Sequence, residues 1–187
     1  MIPIEIKLPV TEILEELKLI LKGHHEAILQ APPGAGKTTL VPLALAGEPW
    51  LKHKKILMLE PRRIATRAAA QRMADLLQEP VGQTVGYRMR LDTRVSSLTK
   101  IEVITEGILT RMLQEDPSLD DVGLVIFDEF HERSLDADLA LALCMKGRSL
   151  FRENDPLKIV IMSATLDSHK LEELTGATVI RSEGKQY

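Results

Sequence analysis

Two short blocks hold residues whose types and spacing suit phosphate chemistry. The first is Ala31-Pro32-Pro33-Gly34-Ala35-Gly36-Lys37-Thr38-Thr39. It fits the phosphate-loop pattern of a glycine, four residues and then Gly-Lys-Ser/Thr, with Ala31 in the first glycine's place. An anion held this way needs converging backbone N–H groups and glycine where the backbone must come close. It also needs an ammonium for the outer phosphates and a hydroxyl for Mg2+. Gly34, Ala35, Gly36, Lys37, Thr38 and Thr39 are therefore the candidate nucleotide contacts, with Lys37 the catalytic cation and Thr38 a metal ligand. The competing explanation is a plain Pro/Gly turn before a helix. The block stands after an apolar run and before a helical stretch, the context a phosphate loop requires. Pro42 predicts a bend in that helix.

The second block is Asp128-Glu129-Phe130-His131, delivered by the apolar run Val122-Gly123-Leu124-Val125-Ile126-Phe127. Asp128 suits a Mg2+ that bridges outer phosphates, and Glu129 suits a base that orients and helps deprotonate an attacking water. Adjacent acids after a strand are, taken alone, as often caps as catalysts. Beside a phosphate loop they form the Walker B arrangement. His131 taken alone reads as a surface or satisfied histidine. Its place three residues after Asp128, ahead of Glu132-Arg133-Ser134, makes it a candidate catalytic residue.

Charge placement adds a third feature. The chain is mildly acidic, with a formal net charge of −3 and a pI near 6.0. That excludes a protein that coats nucleic acid through its overall field and leaves room for a local basic site. Between Pro61 and Arg94 stand seven arginines and no lysine against three acids, so the basic site is sought there. Arg67 and Arg72 read as a solvated helix face. Arg62 and Arg63 follow an apolar run, where ligand contacts concentrate.

The elements that must position these residues follow from hydrophobic period. Ala27–Gln30, Lys55–Leu59, Val122–Phe127 and Leu157–Met162 read as buried strands, with weaker ones at Ile101–Ile104 and Thr178–Ile180. Helical stretches fall at roughly 37–46, 63–78, 106–115, 135–147 and 168–174. An earlier one spans 11–22, with Thr11 as N-cap, Glu15 near the capping-box position and a stop at Gly23. Strand and helix alternate, so the fold class is α/β: a doubly wound, mainly parallel sheet covered on both faces. In such sheets ligands bind beyond the carboxyl ends of the strands, where both blocks stand.

The chain has 187 residues, about one domain's worth, and its 44% hydrophobic and 27% charged content sets aside disordered, collagenous and disulfide-scaffold classes. A lone cysteine, Cys144, excludes an internal disulfide and points to a reducing compartment. No run reaches the ~18 apolar residues of a membrane span, and Met1–Val10 lacks the order of a signal peptide. A cytoplasmic protein with no membrane partner is expected.

Five blocks in this order resemble the first motor domain of superfamily-two helicases of the DEAH-box type, and specifically the bacterial HrpB-type subgroup. They are Ala31 to Thr39, Pro61-Arg62-Arg63-Ile64-Ala65, Thr105-Glu106-Gly107, Asp128 to Ser134, and Ser163-Ala164-Thr165. Ala31 replaces the family's usual glycine, and Phe130 its usual alanine, as in the HrpB-type subgroup. The resemblance implies a RecA-like, P-loop NTPase fold and ATP with Mg2+ as cofactors. It implies that Arg62, Arg63, Thr105 and Gly107 hold the backbone of a single strand of nucleic acid, and guanidinium groups and a threonine hydroxyl suit phosphate.

Gly86-Tyr87-Arg88-Met89-Arg90 resembles a segment near that path, which adds Arg88 and Arg90; Tyr87 fits a core position equally well. Ser163, Ala164 and Thr165 resemble the residues that couple nucleotide and nucleic acid through His131. An ordinary turn after a strand is their alternative. RNA as the partner follows from the resemblance alone, because a backbone-gripping site does not separate RNA from DNA by residue type.

The resemblance further implies residues 1–182 as one motor domain, 183–187 as the start of a linker, and a second motor domain carrying arginine fingers. Without those, hydrolysis by this chain is expected to be feeble or absent, since such a finger is worth ~10³–10⁵ in rate. Two other readings stay open: an ATP-dependent nucleic-acid-binding switch or remodeller that does not unwind, and a phosphate-loop kinase of small molecules. The kinase reading leaves the Pro-Arg-Arg, Asp-Glu-Phe-His and Ser-Ala-Thr blocks without a task.

Overall fold

The computed structural model describes residues 8–132, 134–165 and 168–182. Arg133 and the expected linker at 183–187 lie outside the described residues. Eight strands form one sheet: β1 (Glu26–Gln30), β2 (Lys55–Leu59), β3 (Val85–Met89), β4 (Asp92–Arg94), β5 (Ile101–Ile104), β6 (Val122–Phe127), β7 (Lys158–Ser163) and β8 (Thr178–Arg181). Their spatial order is β4-β3-β5-β2-β6-β7-β1-β8, and every pairing is parallel except β3 with β4. The helices are α1 (Leu14–Gly23), α2 (Lys37–Leu45), α3 (Arg63–Leu76), α4 (Glu106–Glu115), α5 (Leu135–Phe151) and α6 (Ser168–Thr175).

Alternation along the strands divides the core in two. Ala27 and Leu29 face α1, α2 and α3 with Ile56, Met58, Leu124 and Ile126. Ile28 faces α4, α5 and α6 with Leu57, Leu59, Val125 and Phe127. A sheet buried on both faces gives strands with no polar side, which is why β1, β2 and β6 were legible as continuous apolar runs.

Four expectations shift. Residues Pro9–Ile13 form a 3-10 turn and the first helix begins at Leu14. Thr11 is therefore not an N-cap: its hydroxyl donates to the Leu8 carbonyl at 2.6 Å inside that turn. The strand expected at 157–162 runs one residue later. Lys158 lies inside it with its ammonium donating to the His24 carbonyl, a hydrogen-bonded polar position that an apolar-run rule passes over. β3 and β4 form a hairpin that was not expected, because its two-residue turn at Arg90-Leu91 has no glycine or asparagine although Leu91 sits at φ 66°. α2 continues through Pro42.

α5 also runs past Gly147, near which the expected helical stretch of roughly 135–147 ended. A Cβ built on Gly147 would overlap the carbonyl oxygen of Pro117 in the loop after α4. Replacing a mid-helix glycine by alanine ordinarily stabilises by about 1 kcal/mol. Here Gly147→Ala is expected to destabilise by about 1–3 kcal/mol through overpacking, read as a lowered urea midpoint with unchanged slope.

Candidate functional site

At the carboxyl end of β1 the Ala31 amide donates to the Ser163 carbonyl at 3.1 Å, extending the β1/β7 ladder by one residue. Ala31 is not among the residues with positive φ, so the first position of this loop has no need of glycine. The later positions do, with Gly34 at φ 76° and Gly36 at φ 89°. A Cβ on Gly36 would lie 2.7 Å from Leu8 and 3.3 Å from Val10. The Val10 amide donates to the Ala35 carbonyl at 3.2 Å, so the Pro9–Ile13 turn braces the loop from behind. Lys37, the first residue of α2, is 4% exposed, and its ammonium donates to the carbonyls of Ala31 (2.5 Å) and Pro32 (3.1 Å). Burial holds its pKa below the ordinary lysine value, while the charges of Glu129 and Asp128 pull the other way.

Two strands away, the Asp128 amide donates to the Leu59 carbonyl and so carries the β2/β6 ladder past β6. Its carboxylate accepts the Thr38 hydroxyl at 2.5 Å and the Glu129 amide at 2.9 Å. Burial pushes its pKa up to about 6, against the bond from Thr38. Glu129 adopts φ 49°, a left-handed conformation rare for a side-chain-bearing residue. That turn brings its carboxylate 3.3 Å from Nε2 of His131. Nδ1 of the same ring accepts a long bond, 3.5 Å, from the Ala164 amide. The buried Ser163 hydroxyl donates to the Thr165 carbonyl at 3.1 Å. Asp128, Glu129, His131 and the Ser163–Thr165 turn thus meet Thr38 and Lys37 at one edge of the sheet.

The basic residues divide. Arg62 is ion-paired with Glu132 at 2.9 Å, and Arg63 donates to the Arg90 carbonyl at 3.2 Å. Arg62, Arg63 and Arg90 are all exposed. Thr105 precedes α4 without capping it through its side chain, and a Cβ on Gly107 would meet nothing within 4 Å. Arg88 has another commitment. Its guanidinium, with the Lys55 ammonium at 2.8 Å, binds the carboxylate of Glu102, which is 1% exposed. Burial alone would push the Glu102 pKa up, but these bonds outweigh it and hold the carboxyl below its usual range. Arg88 thus helps to neutralise a buried charge, whereas Arg62 pairs with an exposed carboxylate. Tyr87 is a core residue, 3% exposed, with its hydroxyl donating to Asp92 at 3.1 Å.

Sequence reasoning missed Glu60. It follows β2 as Asp128 follows the neighbouring β6, its amide donates to the Ile104 carbonyl at 2.9 Å, and it is 2% exposed. Burial, with the charges of Asp128 and Glu129 added, raises its pKa to about 8; Arg62 opposes this. Its one signal in sequence was an acid where an apolar strand meets the Pro-Arg-Arg block.

Comparison with protein-family models matches residues 13–174 to the DEAD/DEAH box helicase family. The chain is 53% identical over 181 residues to the ATP-dependent RNA helicase HrpB of Escherichia coli, covering 96% of this chain and 22% of the relative. It is 37% identical over 164 residues to the ATP-dependent RNA helicase HrpA of Borreliella burgdorferi, covering 88% and 20%. A crystal structure of the Escherichia coli DEAH/RHA helicase HrpB superposes with a TM-score of 0.91 at 52% identity, over 97% of this chain and 23% of that one. The eight-stranded sheet is thus the RecA-like helicase fold, and the chain spans about a fifth of the length of these relatives.

The raised pKa of Glu60 fixes the sign of a pH effect. A carboxyl that binds its proton more tightly folded than unfolded contributes stability below the unfolded value of 4.5, and that contribution is lost as pH rises toward about 8. Glu60→Gln removes the titration. The melting temperature of the variant minus that of wild type is expected to grow more positive from pH 5 to pH 8. A flat difference would remove Glu60 from the buried acids.

Proposed function

The chain belongs to the DEAD/DEAH box helicase family, and from that premise we propose that it is the first motor domain of an ATP-dependent RNA helicase, with residues 1–182 as the domain. The observation that carries this reading is the 2.5 Å bond from Thr38 to Asp128. It joins the phosphate loop to the acidic block across 90 residues of sequence. Nucleotide binds at Gly34 to Thr39, with the loop amides and the Lys37 ammonium facing phosphate oxygens. The donor set fits Mg2+, a hard cation that takes few protein oxygens and keeps phosphate and water ligands. Thr38 and Asp128 would hold it, and when bound it neutralises charge on the outer phosphates. Glu129 orients the attacking water and accepts its proton. His131, between Glu129 and the Ala164 amide, links the chemistry to the Ser163–Thr165 turn.

A single strand of RNA runs over Arg62, Arg63, Arg90, Thr105 and Gly107. The exposure of the three arginines and the open space above Gly107 support that path. Arg88 is left out of it because Glu102 holds its side chain. A second motor domain of the full-length chain completes the ATP site. No helix among the described residues is long and apolar enough to cross a membrane. The lone cysteine, buried in α5, fits work in the cytoplasm.

The decisive measurement is ATP turnover by the full-length protein with and without RNA and DNA. Lys37→Ala is expected to abolish most nucleotide binding. Glu129→Gln should keep binding and lower turnover by about 10²–10⁴-fold. Turnover by Glu129→Gln at the wild-type rate would overturn the assignment of the base.

Gly107→Ala separates binding from folding. Nothing in the fold blocks a methyl group there, so the change should stabilise α4 by up to about 1 kcal/mol. RNA affinity should fall nonetheless, because the methyl group occupies the space through which a backbone approaches. Raised stability with unchanged RNA affinity would remove Gly107 from the path.

A further inference from the structure

Ser134 serves two helices at once. It is the N-cap of α5, its oxygen accepting the Ala137 amide at 2.9 Å. Its one hydroxyl proton goes to a carboxylate oxygen of Glu106 at 2.6 Å. Glu106 is the first residue of α4, flanked by Thr105 and Gly107. The bond therefore ties the first turn of α4 to the first turn of α5, five residues beyond Glu129. Behind it the two helices share one apolar cluster, Leu109 and Leu113 with Ala137, Ala140 and Leu141.

A second tie runs beside it, from Arg62 after β2 to Glu132 in the turn that follows Glu129. The two ties bracket a cleft of about 240 Å³ lined by Pro61, Arg62, Glu106, Glu129, Glu132 and Ser134. They differ in kind. Arg62 and Glu132 are exposed and screened, so phosphate competes readily for the guanidinium. The Glu106–Ser134 bond is partly buried, charge-assisted and anchored at both ends in helix termini.

We propose that Glu106 and Ser134 are positioning residues that carry the state of the nucleic-acid path to the acidic block, separately from the contact of His131 with Ala164. The proposal rests on the function proposed above. A strand held at Thr105 and Gly107 shifts the first turn of α4. Glu106, hydrogen-bonded to the α5 cap, transmits that shift to the Asp128–His131 segment directly ahead of it. By reciprocity, nucleotide bound at that segment changes nucleic-acid affinity by the same factor.

The test measures RNA affinity of the full-length protein with and without a non-hydrolysable ATP analogue, and takes the ratio as the coupling factor. Glu106→Ala and Ser134→Ala should each lower it at least about fivefold, the scale of a single allosteric coupling. The double variant should fall no further than the singles, as expected for two ends of one bond. Glu106→Gln, which keeps an acceptor, and Ser134→Thr, which keeps both cap and donor, should restore the factor to within about twofold of wild type. A purely structural role would lower melting temperature and leave the factor intact. That result, or additive losses in the double variant, would overturn the proposal while leaving the helicase reading standing. Absence of any coupling between nucleotide and RNA or DNA in the wild type would overturn both.

Discussion

A parallel strand cannot be joined to its neighbour by a tight turn, so each returns through a crossover, here almost always a helix, and the seven strands other than the antiparallel β4 leave the sheet on the same edge. That constraint orders the rest of this molecule. It forces helices onto both faces, which fill with the two apolar clusters on either side of the strands. It also brings together, from segments far apart in the chain, the residues that follow β1, β2, β5, β6 and β7. Ala31 and Asp128 show how the edge is built. Each extends a strand ladder by one backbone bond beyond the last strand residue, so the first residue of each loop is held as firmly as the sheet itself.

Concentrating polar groups on one edge has an electrostatic cost that the site meets by mutual compensation. Lys37, Asp128 and Glu60 are all nearly inaccessible, and burial works against the charged form of each. The charges of Glu129 and Asp128 support the charged lysine, while burial first and then a neighbouring carboxylate raise both acids: Glu129 acts on Asp128, and Asp128 and Glu129 act on Glu60. Such a cluster is most comfortable beside added positive charge, the electrostatic reason the proposed Mg2+ suits Thr38 and Asp128. The left-handed backbone of Glu129 belongs to the same arrangement. Strain held at one residue of a rigid edge directs a carboxylate toward His131 that an ordinary turn would direct elsewhere.

The arginines show a different balance. Arg88 and Arg62 look alike in sequence, both in a basic stretch and both near the end of an apolar segment. Arg88 shares with Lys55 the neutralisation of a buried carboxylate, so its position is set by the cost of Glu102 in the core. Arg62 meets an exposed carboxylate in a screened pair and stays available to another anion. Burial of the partner separates a guanidinium committed to the core from one that an outside anion can reach.

Features whose signals are local were legible in the order of residues. The phosphate loop and the acidic pair are carried by residue type at fixed spacing, and the buried strands by unbroken apolar runs that a two-faced sheet demands. Local signals do not say what stands opposite a residue. Glu60 was passed over because only the pairing of β2 with β5 and β6 buries it beside Asp128. The β3–β4 hairpin was missed because sheet pairing holds Leu91 in a conformation its residue type disfavours. Thr11 was misplaced because the phosphate loop, through Ala35 and Gly36, claims the preceding turn as its brace. In each case the deciding energy, a buried charge or a close backbone contact, arises between segments distant in sequence, and it comes into being only when the chain closes on itself.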